Sequence, residues 1–237
     1  MKAFILAAGV SRRLYPETYN TPKCLLDVGG KPIIDYQLEA IQGIGLDNSV
    51  TMIIGYHREM LVEHVTKTFP DIKFNFIINH HYFETNTAYS VYLGRDSLSS
   101  DVQLLMNADV IYPPELITRI VNSKHETVLA VDIKKCGREE VKVIEGINNR
   151  ITSIGKELIE ENCLGEFLGV AKLSKEFNQL FTDSLIRLIE AGGKSDYFEA
   201  GMNPLLDKTD VYYCDVSDLP CLEIDFLEDL NEARSLF

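Results

Sequence analysis

Short apolar strands alternate with helical segments through the first half of this 237-residue chain, and no other feature constrains the fold as strongly. The first strand-like run, Lys2 to Ala7, leads into Gly9, and similar runs follow at residues 50–54, 73–78 and 102–106. Segments with helical spacing of apolar residues separate these runs, at residues 31–43, 58–69 and 86–98. Because strands that alternate with helices form right-handed βαβ units, the pattern predicts an α/β fold with a Rossmann-like, doubly wound, mainly parallel sheet.

The second half is richer in strands. Strand-like runs occur at residues 127–132, 140–145, 151–155, 167–173 and 211–214, and Asn148-Asn149 is typical of a hairpin turn. Helical patterns cover residues 174–191 and 197–206, and a last helix begins near Phe226. No repeat or Pro/Gly/Ser-rich linker divides the chain. We therefore predict a single domain, residues 1–237, with a mixed sheet and a small β-rich portion in its second half.

The charge of the chain narrows its possible partners. Thirty-six acidic residues against 23 basic ones give a net charge of -13, so nucleic acid and anionic membrane surfaces are not expected to bind. An anionic ligand would need a local cluster of cations. The five cysteines have no CxxC spacing, and the apolar run at the N-terminus is too short for a signal peptide, which favours a cytoplasmic protein with reduced thiols.

A loop of small residues and cations follows the first strand. It reads Leu-Ala-Ala-Gly-Val-Ser-Arg-Arg-Leu over residues 6–14, and Thr21-Pro22-Lys23 comes shortly after. Small residues let backbone N–H groups approach phosphates, while Arg13 and Lys23 add positive charge. The loop is neither a Walker A motif nor the GxGxxG fingerprint, so a nicotinamide-dependent dehydrogenase is not expected. The simplest alternative is a tight turn with solvated arginines.

Together these residues resemble the opening signature of the nucleoside-triphosphate transferases, LAAGxGxRLxPxTxxxPKxLxxVxGKP. That family commonly has a glycine and a Ser/Thr where this chain has Ser11 and Arg12. Further similarity extends along the chain, at Gly55-Tyr56, Asn79, Asn86, Ser90, Asn107-Ala108-Asp109, Ile154-Gly155-Lys156 and Glu223-Ile224-Asp225. The chain is most similar to the short cytidylyltransferases that act on phosphocholine, aminoethylphosphonate and similar acceptors.

The resemblance implies a magnesium-dependent nucleotidyltransferase that moves CMP from CTP onto a small phosphorylated alcohol or phosphonate and releases pyrophosphate. Residues 1–125 would form the nucleotide-binding half and residues 126–237 the acceptor-binding half of a monomer or homodimer. A hexose-1-phosphate nucleotidyltransferase using UTP, dTTP or GTP remains as the alternative activity. A catalytically inactive nucleotide-binding module is the alternative of another class, although Arg13, Lys23, Asp109 and Asp225 are all present.

Asp109 ends an apolar strand beside the predicted loop, and a carboxylate there suits Mg²⁺ or could instead cap the next helix. The resemblance implies that Asp109 and Asp225 hold Mg²⁺, although Asp225 could also cap the last helix. It further implies catalytic roles for Arg13 and Lys23. Nucleotide-binding roles are implied for Leu6, Ala7, Ala8, Gly9, Tyr56, Asn86 and Ser90.

The acceptor site is expected among residues of the second half. Lys142 could contact the acceptor phosphate, and Glu166 and Glu199 could bind a primary ammonium group. The chain contains no tryptophan, the best wall for a quaternary ammonium ligand, which weakens the case for choline without excluding it.

Overall fold

The computed structural model describes residues 1–46 and 48–237. Its strands are β1 (Lys2–Ala7), β2 (Asp27–Val28), β3 (Lys31–Pro32), β4 (Ser49–Ile54), β5 (Lys73–Ile78), β6 (Gln103–Asn107), β7 (Val110–Ile111), β8 (Val128–Asp132), β9 (Lys142–Glu145), β10 (Ile151–Gly155), β11 (Gly165–Leu173), β12 (Tyr212–Asp215) and β13 (Leu222–Glu223). Its α-helices are α1 (Ile33–Gly43), α2 (Arg58–Thr68), α3 (Thr87–Leu93), α4 (Arg95–Leu98), α5 (Pro114–Asn122), α6 (Lys175–Glu190), α7 (Glu199–Met202) and α8 (Leu227–Leu236).

One mixed sheet runs through both halves of the chain. Strands β6, β1, β4 and β5 lie side by side and parallel, and Leu6 pairs with Ile53 on one side and Asn107 on the other. Strand β11 is antiparallel to β6 and joins it to β8 and β9, which in turn pair with β12 and β10. The predicted mainly parallel, mixed sheet is therefore confirmed.

Helices cover both faces of the parallel strands. Successive side chains of a strand point to opposite faces, so Ala3 and Ile5 of β1 contact one core cluster and Phe4 and Leu6 the other. The first cluster contains residues of α1, α2 and α5, and the second contains residues of α3 and α6. These layers are the doubly wound arrangement that the alternation of strands and helices predicts.

Two predicted helices are shorter than expected. The segment 86–98 divides into α3 and α4 at Gly94, where a Cβ atom would lie 2.4 Å from the ring of Phe4. The segment 197–206 is α-helical only in α7 and continues as a 3₁₀ turn, Asn203–Leu205. There the side chain of Asn203 bonds to the backbone of Ile154, and Pro204 lacks an N–H donor.

The remaining predicted elements agree with the structure to within a few residues at their ends. Asn148 and Asn149 both have φ of 61° and form the turn between β9 and β10, as their side chains predict. All five cysteines are free thiols. In the described part of the chain, no helix is both long and apolar enough to cross a membrane.

Candidate active site

A cleft of about 380 Å³ opens at the carboxyl ends of the parallel strands. Ligands of open α/β sheets bind at this edge, because the loops that follow neighbouring strands meet there. The cleft is lined by residues from both halves of the chain, among them Leu6, Ala8, Gly9, Arg13, Lys23, Asn86, Ser90, Asp109, Glu199 and Asp225.

The loop after β1 forms one wall of this cleft. The Ala8 carbonyl accepts a hydrogen bond from the Tyr56 N–H at 3.2 Å, which fixes the loop at this residue. Gly9 has open space where a Cβ atom would be. Ser11 has φ of 53° and ψ of 52°, the left-handed conformation that glycine adopts most readily. The signature that the chain resembles commonly has glycine at this position, and Ser11 has the backbone conformation that glycine favours.

Lys23 is the buried cation of the cleft. It follows Pro22 in a short 3₁₀ turn and is only 7% exposed. Its ammonium lies 2.8 Å from a carboxylate oxygen of Asp109 and 2.8 Å from one of Asp225. Burial alone would lower the pKa of Lys23, but these two carboxylates raise it above its ordinary value, so the side chain stays charged.

Arg13 is a second, more exposed cation at the same place. Its guanidinium donates hydrogen bonds of 3.0 Å to Asp225 and to Glu139, and it lies 5.1 Å from the ring centre of Phe226. Arg13 and Lys23 thus both contact Asp225. Burial would raise the pKa of Asp225, yet the charges of Lys23 and Arg13 hold it below its ordinary range.

Three carboxylates, those of Asp109, Glu223 and Asp225, come together at this point. Strand β13 pairs with β7, and the Ile224 N–H donates to the Asp109 carbonyl at 3.0 Å, which brings the distant segment beside Asp109. Burial, reinforced by the charges of Asp109 and Asp225, raises the pKa of Glu223 to about 8.

Neither Asp109 nor Asp225 caps a helix through its side chain. The N–H groups of Asp225 and Phe226 bond to the Asp229 carboxylate, at 2.9 and 2.7 Å, so Asp229 caps α8. Helix α5 begins after Pro113, and the Asp109 carboxylate pairs instead with Lys23. Both carboxylates are therefore directed to the cleft and not to a helix end.

The same carboxylates fit a divalent cation. One ligand oxygen from each of Asp109, Glu223 and Asp225 lies within 4.8 Å of the others. Asp109 Oδ1 is buried and has no hydrogen-bond partner within residues 1–46 and 48–237, so it retains free coordinating capacity. Hard carboxylate oxygens are the ligands that Mg²⁺ prefers, and the donor set suits that ion.

The residues expected to bind the nucleotide divide into two groups. Leu6, Ala8, Gly9, Asn86 and Ser90 line the cleft. Asn86 caps α3 through a 2.8 Å bond from the Thr87 N–H, and Ser90 is held by Asn79 at 3.2 Å.

Ala7 and Tyr56 are not among the lining residues of the cleft. Ala7 borders a small adjoining pocket of about 40 Å³. The single O–H of Tyr56 is shared between the backbone carbonyls of Thr18 and Tyr19, at 3.0 and 2.8 Å, and so holds the segment behind Ser11 in place. The backbone of Tyr56 contacts the loop after β1 at Ala8, while its side chain holds the segment at Thr18 and Tyr19.

The second half of the chain also contributes to the lining of the cleft. Apart from Glu223 and Asp225, its lining residues are Val141, Lys156, Phe167, Tyr197 and Glu199. The ammonium of Lys156 lies 4.7 Å from the ring centre of Tyr197. These five residues combine aromatic and aliphatic walls with one cation and one carboxylate, and we define them as the acceptor end.

Lys142 and Glu166, which we expected to bind the acceptor, are not among the residues that line the cleft. Lys142 is 1% exposed, and its ammonium donates to the backbone carbonyls of Arg138, Glu140 and Lys156, at 3.4, 3.2 and 2.6 Å. Glu166 is buried and pairs with Lys134 at 2.7 Å. Burial raises the pKa of Glu166, although Lys134 opposes the shift.

Other lining residues lay outside the set of sites that we predicted. Lys156 faces the cleft, and the motif Ile154-Gly155-Lys156 that resembles the family was the available signal. Arg12 and Asn107 also line the cleft, and they adjoin Arg13 and Asp109 in the same two motifs.

Comparison with known proteins agrees with this architecture. A CTP:phosphoglutamine cytidylyltransferase of Campylobacter jejuni is 28% identical, over 98% of this chain and 98% of its own length. A choline-phosphate cytidylyltransferase of Streptococcus pneumoniae is 38% identical over 100 residues, 42% of each chain. The solved structure of a CTP:phosphocholine cytidylyltransferase from Streptococcus pneumoniae superposes with a TM-score of 0.82 at 23% identity, covering 99% of this chain and 98% of that one.

The fold, with its cleft at the carboxyl edge of the sheet, is that of a nucleotidyltransferase. Residues 2–140, more than half of the chain, match the family model described as nucleotidyl transferase. The chain belongs to this family, and the resemblance inferred from its opening motif is confirmed.

Proposed function

We propose that this protein is a cytidylyltransferase that moves CMP from CTP onto a small phosphorylated alcohol or phosphonate, such as phosphocholine or 2-aminoethylphosphonate. The observation that carries the proposal is the meeting of Arg13 and Lys23 with three carboxylates in a cleft that is lined by residues of both halves of the chain. The choice of CTP is supported by the names of the relatives in C. jejuni and S. pneumoniae.

In the proposed reaction, an oxygen of the acceptor phosphate attacks the α-phosphorus of CTP. The bond between that phosphorus and the oxygen bridging to the β-phosphate breaks, and pyrophosphate leaves with the electron pair. An acceptor phosphate that is already a dianion needs no general base, so catalysis depends on positioning and on neutralising negative charge.

Each charged residue then has a defined task. Arg13, at the outer side of the cluster, neutralises charge that develops on pyrophosphate, and Lys23 contacts the α-phosphate. Asp109 and Asp225, assisted by Glu223, hold Mg²⁺. When bound, this ion supplies Lewis acidity and positive charge at the phosphates.

The remaining lining residues position the two substrates. Ala8, Gly9, Asn86 and Ser90 bind the nucleoside, through backbone groups and an amide that can read a base edge. Lys156 contacts the acceptor phosphate, because it is the cation of the acceptor end. Residues 126–237 thereby act as the acceptor-binding half.

The proposal is tested by a matrix of substrates. Purified protein with Mg²⁺ is given CTP, UTP, dTTP or GTP together with phosphocholine, 2-aminoethylphosphonate or a hexose 1-phosphate, and pyrophosphate release is measured. We expect release with CTP and a phosphorylated alcohol or phosphonate. Preferred turnover of UTP, dTTP or GTP with a hexose 1-phosphate would replace the proposal with the rival activity. CTP binding without release for any acceptor would favour an inactive module.

A further inference from the structure

Glu199 presents an unsatisfied carboxylate to the acceptor end of the cleft. The residue is 3% exposed and belongs to the lining. Its Oε2 atom is buried and accepts no hydrogen bond from any residue that the structure describes. A buried carboxylate oxygen without a donor is costly, because it has lost its water and gained no partner in return.

The nearest cation does not satisfy this carboxylate. Burial raises the pKa of Glu199 and the charge of Lys156 lowers it, but within residues 1–46 and 48–237 Lys156 is not a hydrogen-bond partner of the buried Oε2 atom. The Lys156 ammonium lies instead against the face of Tyr197, at 4.7 Å from the ring centre. Burial dominates at Glu199 and raises its pKa to about 7.

The local structure holds Glu199 in this position. It begins α7, and the preceding Phe198 N–H donates to the Thr87 hydroxyl at 3.0 Å, which ties this turn to the start of α3. Phe198 is fully buried against Phe167 and Phe181. The backbone that carries Glu199 is therefore fixed by the packing of its neighbour Phe198.

We propose that the acceptor carries a primary ammonium group, remote from its phosphate, and that this group donates an N–H to Glu199. This inference rests on the proposed function and names the substrate class within it. A primary ammonium offers three N–H donors and a positive charge, which together satisfy the buried oxygen. A trimethylammonium group has no N–H to donate, and a neutral hydroxyl brings no charge.

The acceptor end contains one cation and one carboxylate, which suits a molecule that has opposite charges at its two ends. Lys156 binds the phosphate and Glu199 binds the ammonium, while Phe167 and Tyr197 contact the short carbon chain between them. Tryptophan is absent from the chain, and quaternary ammonium groups bind best against tryptophan. The site therefore selects a phosphorylated primary amine over a choline derivative.

The test uses three acceptors of similar size, O-phosphoethanolamine, phosphocholine and glycerol 1-phosphate, each with CTP and Mg²⁺. We expect kcat/KM for O-phosphoethanolamine to exceed that of the other two by about 10- to 100-fold, the range for a charged hydrogen bond. In Glu199→Gln this advantage should disappear, mainly through a higher KM for O-phosphoethanolamine. Glu190→Gln, an exposed residue at the end of α6, is the matched control and should keep the preference.

Calorimetric titration with CTP alone and thermal unfolding show whether Glu199→Gln retains its nucleotide site and its fold. Equal loss of activity with all three acceptors would indicate a structural role and overturn the inference. A wild-type preference for phosphocholine or glycerol 1-phosphate would also overturn it and leave the proposed cytidylyl transfer intact. Absence of pyrophosphate release with every acceptor and every nucleotide would instead refute the proposed function itself.

Discussion

The ammonium of Lys23 lies 2.8 Å from Oδ1 of Asp225, a residue 202 positions further along the chain. The same ammonium also contacts Asp109, so one cation pairs with two acidic side chains that follow different strands, β6 and β13. Lys23 is thus part of the fold as well as a candidate for contact with phosphate.

Replacing Lys23 should reveal this second role. We expect Lys23→Met to lower the free energy of unfolding by about 1–3 kcal/mol in the absence of divalent cations, because the half-buried carboxylates of Asp109 and Asp225 would lose their counter-charge. Urea unfolding in the presence of a chelator measures the effect, and Lys208→Met, at an exposed position, is the control. Equal stabilities for the two variants would show that the contact contributes little to folding.

Asp109→Asn tests the proposed metal site. The substitution keeps the shape of the side chain but removes a charge from the carboxylate cluster, so the fold should persist while pyrophosphate release falls about 100-fold or more. Turnover as a function of Mg²⁺ concentration and thermal unfolding report the two properties separately. Asp207→Asn, at an exposed position, should behave as wild type. An unchanged rate in Asp109→Asn would contradict the assignment.

Ser11→Gly should stabilise the protein. A residue with a Cβ in the left-handed region destabilises the folded state by about 1–2 kcal/mol, and glycine removes most of this steric cost. Glycine also increases the conformational entropy of the unfolded chain, which offsets part of the gain in stability. We expect a net gain of about 0.5 to 1 kcal/mol in urea unfolding. Ser11→Ala should show no gain, because alanine keeps the Cβ. It should also show no loss, because the Ser11 side chain makes no capping hydrogen bond.

Glu199 should make stability depend on pH. Its pKa in the folded protein is raised from 4.5 to about 7, so the folded state binds the extra proton and loses stability as the pH rises through this interval. We expect Glu199→Gln to gain stability relative to wild type between pH 5 and pH 8, by up to about 3 kcal/mol. Urea unfolding at both pH values measures the difference. A constant difference would mean that Glu199 titrates normally.

Lys142→Met separates an acceptor contact from a structural role. Because the buried Lys142 ammonium donates to three backbone carbonyls, its loss should cost about 1.5–3 kcal/mol of stability. The KM for the acceptor, measured below the unfolding temperature, should change less than twofold. A large rise in KM with normal stability would restore Lys142 as an acceptor ligand.

The sequence predicted the fold well because the alternation of strands and helices is a local signal. The division of α3 from α4 escaped prediction, since it depends on the contact between Gly94 and Phe4, which are far apart in sequence. Breaks of this kind follow from packing, and periodicity in one segment carries no information about the ring that packs against it.

The candidate site was predictable where residues follow a strand or form a motif. Arg13, Lys23 and Asp109 lie in the loops after β1 and β6, which meet at one edge of the parallel sheet, and the pairing of β13 with β7 brings Asp225 to them. The directions of the Tyr56 and Lys142 side chains could not be read from spacing, because backbone carbonyls supplied by other segments decide them. Lys156 was visible as part of a motif, yet its position in the cleft depends on where β10 ends.

Strand β11 has a mechanical consequence for substrate exchange. It is hydrogen-bonded to β6 and β9 along one edge and to β8 along the other, so strands of both halves of the chain belong to one continuous main-chain hydrogen-bond network. A hinge between the halves would require strand pairs to separate, which is far costlier than rotating a side chain. Entry of substrates and exit of product should therefore depend on movements of the loops around the cleft, while the sheet beneath them stays nearly rigid.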